Sequence, residues 1–319
     1  MNKRKLIKFG KNSYVISLPK EWIEENKLGK GSEINLNKFD ENLIISTESN
    51  IRSDSKEIII NCHDKDLNLI KRLILSSYIS NFSTIIIKEF SPTELNNIKK
   101  IITNLFAVEI FEESQNKIII KDILNITDIS LIEIIRRTDN IIRTMFNDSI
   151  DSFDETLTKD VIVRDDDVNR LSYLALKVLK LSLKDSSVSK ILKLNGSIIL
   201  HAWELIARLE NISDSTKRIS SLIANLKLNT NEKKNIADFL MVLKSDYINV
   251  MKSFYNKDER LVYDILSKSL EKRMKIYELT NMKNELNYVA VVEQLYNIHE
   301  SIKNIARSLL NTILIEDGI

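Results

Sequence analysis

The strongest hydrophobic pattern lies in the C-terminal half of the chain. Apolar residues at 205, 209, 212, 219 and 223, with Thr216 in step, keep the three-and-four spacing of a helix that buries one face. The spacing recurs at 295, 298, 302, 305 and 309. The likeness extends to residue identities. Leu209-Glu210-Asn211-Ile212-Ser213-Asp214-Ser215-Thr216-Lys217-Arg218-Ile219 returns 86 positions later as Leu295-Tyr296-Asn297-Ile298-His299-Glu300-Ser301-Ile302-Lys303-Asn304-Ile305. Such an echo at fixed offset is the mark of a duplicated unit. Helical periodicity from 128 onward predicts helices over about 129–153, through Asp165 to about 184, 197–226, 231–255, 258–280 and about 287–315. Three plus three antiparallel helices with short connections make two bundles, 128–228 and 229–319. Trp203 and His201 lie on or near the apolar stripe and are expected in the core.

Upstream the period changes. Strands are predicted at about 57–62, 84–88, 108–112 and 117–121, with helices carrying Leu67, Ile70, Ile74 and Tyr78, and then Ser91 to about 106. Ser91-Pro92-Thr93-Glu94 has the form of a capping box with proline at the first helical position. The order βαβαββ predicts a small α/β sandwich over 57–125, a spacer or second dimer surface. His63 with Asp64 and Asp66 is its ionisable cluster, expected in a solvated loop rather than a metal site. A polar linker, 47–56, separates this from the first fifty residues. There a hairpin turning at Gly10-Lys11-Asn12-Ser13 precedes a short helix with Pro19 at its first position and two strands, about 33–39 and 43–46. Four short strands bury too little alone and need a partner.

With 319 residues, two or three domains are expected, and 43% hydrophobic with 29% charged residues is a globular composition. The one cysteine, Cys62, excludes an intrachain disulfide and fits a reducing compartment. No apolar run reaches the roughly 18 residues that span a bilayer, and the N-terminus lacks a signal-peptide pattern, so a cytoplasmic protein without membrane insertion is expected. Neither glycine nor proline occurs between Pro92 and Gly196 or between Gly196 and Gly318, which lets long helices run and leaves no Gly-rich phosphate loop. With no nucleophile motif or His-rich ligand set either, an enzyme is not expected. Net charge is only +2, yet residues 1–20 hold six basic side chains and no acidic one.

Lys8-Phe9-Gly10-Lys11-Asn12-Ser13-Tyr14-Val15-Ile16-Ser17-Leu18-Pro19-Lys20-Glu21-Trp22 and Leu28-Gly29-Lys30-Gly31-Ser32-Glu33-Ile34 resemble the AbrB/MazE/SpoVT family of swapped-hairpin DNA-binding domains. The resemblance implies that residues 1–50 form a β-barrel shared by a homodimer. It implies that Arg4, Lys5, Lys8, Lys11 and Lys20 lie along the phosphates of double-stranded DNA, with Asn12 and Ser13 near the backbone or base edges. A lysine-dominated patch favours phosphate contact over base reading.

Ala207-Arg208-Leu209-Glu210-Asn211-Ile212-Ser213-Asp214 resembles the acidic helix motif of the PhoU family, built of two three-helix bundles. Hairpin, small α/β unit and bundles together have the order of archaeal PhoU-related regulators. The resemblance implies a multidomain α+β protein that regulates phosphate uptake or homeostasis and binds a divalent or multinuclear metal (iron, zinc or magnesium) through Asp165, Asp166, Glu210 and Asp214. Two departures stand out. Asn169 takes the place of an acid in the second helix, and Tyr296 stands where Glu210 stands in the first copy, leaving Glu293 and Glu300 as a remnant with His299 beside them. Two readings follow: a transcription regulator whose bundles carry the signal, or an adaptor for phosphate transporter or sensor proteins whose N-terminal domain only dimerises.

Overall fold

The computed structural model describes residues 3–39, 42–47, 56–151, 155–224 and 226–316, in two compact units, Met1–Ser53 and Asp54–Ile319. In the first unit, β1 (Ile7–Phe9) and β2 (Ser13–Val15) pair antiparallel with Lys8 opposite Tyr14. Gly10 takes the turn at φ +69°, a conformation that side chains disfavour. Helix α1 (Lys20–Glu25) starts one residue later than expected, with Pro19 outside it as the N-cap residue. Strands β3 (Ile34–Phe39) and β4 (Asn42–Thr47) form a second antiparallel pair. No described side chain of this unit is buried, and Leu6, Ile7, Phe9, Tyr14, Leu36 and Leu43 are each more than half exposed. So much uncovered apolar surface on short strands is the signature of an interaction face.

The second unit begins with the expected order: β5 (Glu57–Asn61), α2 (Leu67–Ile79), β6 (Thr84–Lys88), α3 (Pro92–Thr103), β7 (Val108–Ser114) and β8 (Lys117–Asp122). The sheet runs β5-β6-β8-β7, with β5 and β6 parallel and the other pairs antiparallel. Alternate residues Ile60, Ile85, Ile87, Ile118 and Ile120 point to one face, where Ile70, Ile74 and Tyr78 of α2 and Ile98 and Ile102 of α3 complete the core. The capping box forms as the sequence indicates. Ser91 Oγ accepts from the Glu94 N–H at 3.3 Å, and Glu94 returns the bond to the Ser91 N–H at 2.7 Å. His63 and Asp64 pair at 2.7 Å in an exposed loop, while Asp66 caps α2 through the Leu69 N–H.

The helical part comprises α4 (Leu131–Asp151), α5 (Glu155–Lys184), α6 (Ser186–Ile191), α7 (Gly196–Ile223), α8 (Thr230–Asn256), α9 (Glu259–Ser267), α10 (Ser269–Thr280) and α11 (Leu286–Glu316). Two details depart from expectation. A one-and-a-half-turn helix, α6, fills the connection before α7, and the helix expected at 258–280 is two, broken at Lys268. Leu209, Ile212 and Ile219 of α7 and Leu295, Ile298, Ile302 and Ile305 of α11 are all fully buried. They belong to one continuous core with residues from α4, α5, α8, α9 and α10, so the two bundles share their interior. His201 Nδ1 of α7 lies 3.1 Å from Ser308 Oγ of α11, which with the lining of the pocket described below sets the two echoed helices antiparallel.

Candidate functional site

The acidic face of the first bundle is built by the middle of α5 and the middle of α7. Val161, Val168 and Leu171 set the buried side of α5, and that period turns Asp165 inward and leaves Asp166 exposed. Asp165 is 2% exposed. Its Oδ1 accepts from Ser213 Oγ at 2.8 Å, and its Oδ2 accepts from Asn169 Nδ2 at 3.1 Å and from Lys217 Nζ. Lys217 also donates to Asp214 Oδ1 at 2.7 Å. The amide at 169, an acid in the related motif, is therefore a donor that satisfies a buried carboxylate. Burial raises the Glu210 carboxyl above its ordinary range, aided by the charges of Asp214 and Asp165 and partly offset by Lys217. Tyr173 on the same face is pushed up to about 12, by burial first and then by Glu210, Asp214, Asp165 and Asp166.

A hard divalent cation needs several anionic oxygens converging on one point. Among the described residues no group of three or more His, Cys, Asp and Glu side chains is placed to hold a metal ion. Between Asp165 and Asp214 stands an ammonium, which has donors only. The residues present do not fit the multinuclear site that the motif implies.

The second copy is simpler. Lys303 donates to Glu300, repeating the Lys217–Asp214 pair one repeat later. His299, at the position of Ser213, is 3% exposed, and its Nε2 lies 3.2 Å from Ser269 Oγ at the start of α10. Ser269 thus faces His299 as Asp165 faces Ser213, and no buried acid is needed there. Burial lowers the His299 imidazole to about 4, which keeps it neutral. Glu293 is exposed, and Tyr296 is half-buried beside Arg273, 5.9 Å from the guanidinium to the ring centre. Between the two copies lies a polar pocket of about 260 Å³, lined by Asn211 and Asn297, Ser215 and Ser301, and Asp214 and Glu300. Equivalent residues of α7 and α11 meet there, so the helices cross at a local two-fold axis.

The described basic residues of the first unit are all exposed. Lys8 is on β1, Lys11 and Asn12 are at the tip, Ser13 opens β2, and Arg4 and Lys5 precede the hairpin. Lys20 opens α1 and lies 3.4 Å from Glu24, one turn on.

Residues 135–223 match the PhoU domain family. Over those residues the chain is similar to a PhoU domain. Residues 7–53 match a second family, the antidote-toxin recognition domain of the MazE bacterial antitoxin. Among solved structures, the chain is similar to PhoU from Pseudomonas aeruginosa, with 16% identity over 59% of this chain and 96% of that one, TM-score 0.48. It is also similar to the phosphate transport system regulatory protein PhoU from Streptococcus pneumoniae, with 15% identity, the same coverage and a TM-score of 0.45. No curated relative matches significantly.

The matched PhoU domain runs from α4 to the end of α7 and contains Asp165, Glu210, Asp214 and Lys217. One feature of it escapes sequence reasoning: its α5 is the floor on which the α/β sandwich sits. Lys177, 1% exposed, pairs with Asp122 at 2.8 Å, donates to the Tyr78 carbonyl at 3.2 Å and lies over the Tyr78 ring. Asn81 bonds the Lys177 carbonyl and Lys180 reaches Ser80, so the sandwich is fastened through the loop after α2. Near the starts of α4 and α7 an apolar cavity of about 580 Å³ is lined by Leu131, Ile135, Leu205, Phe254, His201 and Leu309. Trp203 departs from expectation: it is 39% exposed on the flank of α7. No described helix is long and apolar enough to cross a membrane.

Proposed function

We propose that this chain is a regulator of phosphate uptake or homeostasis, acting in the cytoplasm, that joins signal-bearing PhoU-type bundles to a DNA-gripping N-terminal unit. The observation that carries the reading is the pairing within one chain of a PhoU domain with a MazE-type unit whose hairpin is basic and free of acids before Glu21. Arg4, Lys5, Lys8, Lys11 and Lys20 would contact DNA phosphates, with Asn12 and Ser13 at the tip. The uncovered apolar residues Leu6, Ile7, Phe9 and Tyr14 call for a second copy, so the DNA-binding form is a homodimer closed through this unit. A signal reaches DNA when a partner or ligand of the bundles favours one of two packings that hold the hairpins differently.

The same apolar surface also favours a second reading, in which the N-terminal unit serves only to dimerise an adaptor for phosphate transporter or signalling proteins. Fluorescence anisotropy of the full chain on phosphate-transporter promoter fragments and on random DNA, at two salt concentrations, separates the two. The regulator reading expects promoter-selective binding that weakens with salt and collapses in Lys8→Glu/Lys11→Glu. Absent binding, or equal binding to random DNA, overturns it in favour of the adaptor.

A further inference from the structure

We propose that Lys217 is a built-in cation of the PhoU domain: its ammonium occupies the place a metal ion would take and holds Asp165 and Asp214 together without one. The inference concerns the bundle alone and stands whether or not the hairpins bind DNA.

Three observations carry it. First, the buried carboxylate is already satisfied. Asp165 receives three donors, from Ser213, Asn169 and Lys217, none of which a cation would need and two of which it would displace. Second, Lys217 bridges both helices of the site. It sits three residues from Asp214 on α7, within one turn, and reaches across to α5. Third, the arrangement is duplicated. Of the charged residues in the eleven-residue echo, lysine alone recurs unchanged, and Lys303 grips Glu300 as Lys217 grips Asp214. The second copy has lost Glu210 to Tyr296 and has Ser269 facing the position that Asp165 faces in the first. It keeps the acid–lysine pair all the same.

A tethered charge has a consequence that a bound ion lacks. It is present at fixed stoichiometry in every folded chain, so the α5–α7 contact is insensitive to metal supply and to chelators. The ion's second charge is replaced by the neutral donors Ser213 and Asn169, which accounts for the amide where the related motif has an acid.

The test uses the full chain. Wild-type protein is incubated with Zn²⁺, Mn²⁺ or Fe²⁺, desalted and analysed for metal by mass spectrometry, and its Tm is compared with and without chelator. No stoichiometric metal and an unchanged Tm are expected. Lys217→Met is expected to melt several degrees lower and to regain part of that loss when Mn²⁺ or Zn²⁺ is added, with metal now retained. Should Lys217→Met not fold, Asp165→Asn/Lys217→Met, which removes both charges, is expected to fold and to take up no metal. Three results overturn the proposal: about one metal per wild-type chain that disappears in Asp165→Asn, a Lys217→Met protein with unchanged Tm, or a loss of Tm that no metal restores.

Discussion

Helices α7 and α11 are two versions of one sequence, and the chain uses them for different ends. Their apolar positions are interchangeable: Leu209 and Leu295, Ile212 and Ile298, and Ile219 and Ile305 are buried in one core. Their polar positions are not. The first copy faces a buried carboxylate on α5 and answers it with Ser213 and Lys217. The second faces a hydroxyl and answers it with a neutral histidine. Packing constrains both copies alike, because every methylene in a shared interior is felt by both bundles. Charge is constrained only where it is buried, and there each copy has settled its own balance.

The comparison can be attacked first at its strongest point. Leu209→Ala and Leu295→Ala should each cost roughly 3 kcal/mol, the usual range for a fully buried leucine, when measured by urea denaturation. Costs that differ by more than about half of that would show that the copies are not equivalent even in the core. Asp165→Ala should cost roughly 2–3 kcal/mol, since it strands Lys217 on a partly buried face, whereas Ser269→Ala should cost under about 1 kcal/mol. Equal losses would erase the distinction between a charged and a neutral copy.

A third contrast is in pH. The His299 imidazole is held near 4, below its ordinary 6.5, by burial; Glu300 opposes that shift, and Lys303, Lys272 and Arg273 add to it. Between those values the unfolded chain binds a proton that the folded chain refuses. Its contribution is intact above about pH 6.5 and is lost as pH falls toward 4, roughly 2 kcal/mol by pH 5. His299→Ser should flatten the stability curve over that window, while Ser213 offers no such slope. The smallest difference should be between Asp214→Asn and Glu300→Gln. Both sit in partly exposed pairs, and each should cost about 0.5–1 kcal/mol in the same titration.

Much of this was visible in the chain. The βαβαββ order follows from the short isoleucine runs in 84–88 and 117–121 and from the capping residues of Ser91–Glu94, local signals that tertiary contacts reinforce. The inward turn of Asp165 could be found from Val161, Val168 and Leu171, and the recurrence of Lys217 as Lys303 marked the tethered charge. Other features had no local signal. Helix α6 has six residues, too few to show a period. The break at Lys268 comes without glycine or proline, beside Ser269, which meets His299 of α11. Lys177 lies in the apolar run Leu174-Ala175-Leu176-Lys177-Val178-Leu179, but its partner Asp122 is 55 positions away. The metal ligands suggested by the acidic motif assumed a spacing whose other half, the amide at 169 and the lysine at 217, supplies donors instead.

The crossing of α7 on α11 at Asn211 and Asn297 has a consequence for ancestry. Antiparallel copies that meet about a local dyad are what an isologous dimer looks like after its two subunits are fused into one polypeptide. In such a dimer any substitution strikes both halves at once, so a buried aspartate must be matched twice or not at all. Fusion releases that coupling. One half is free to enclose Asp165 against Ser213 while the other sets Ser269 against His299, each keeping its lysine, and that asymmetry is open only to a single chain.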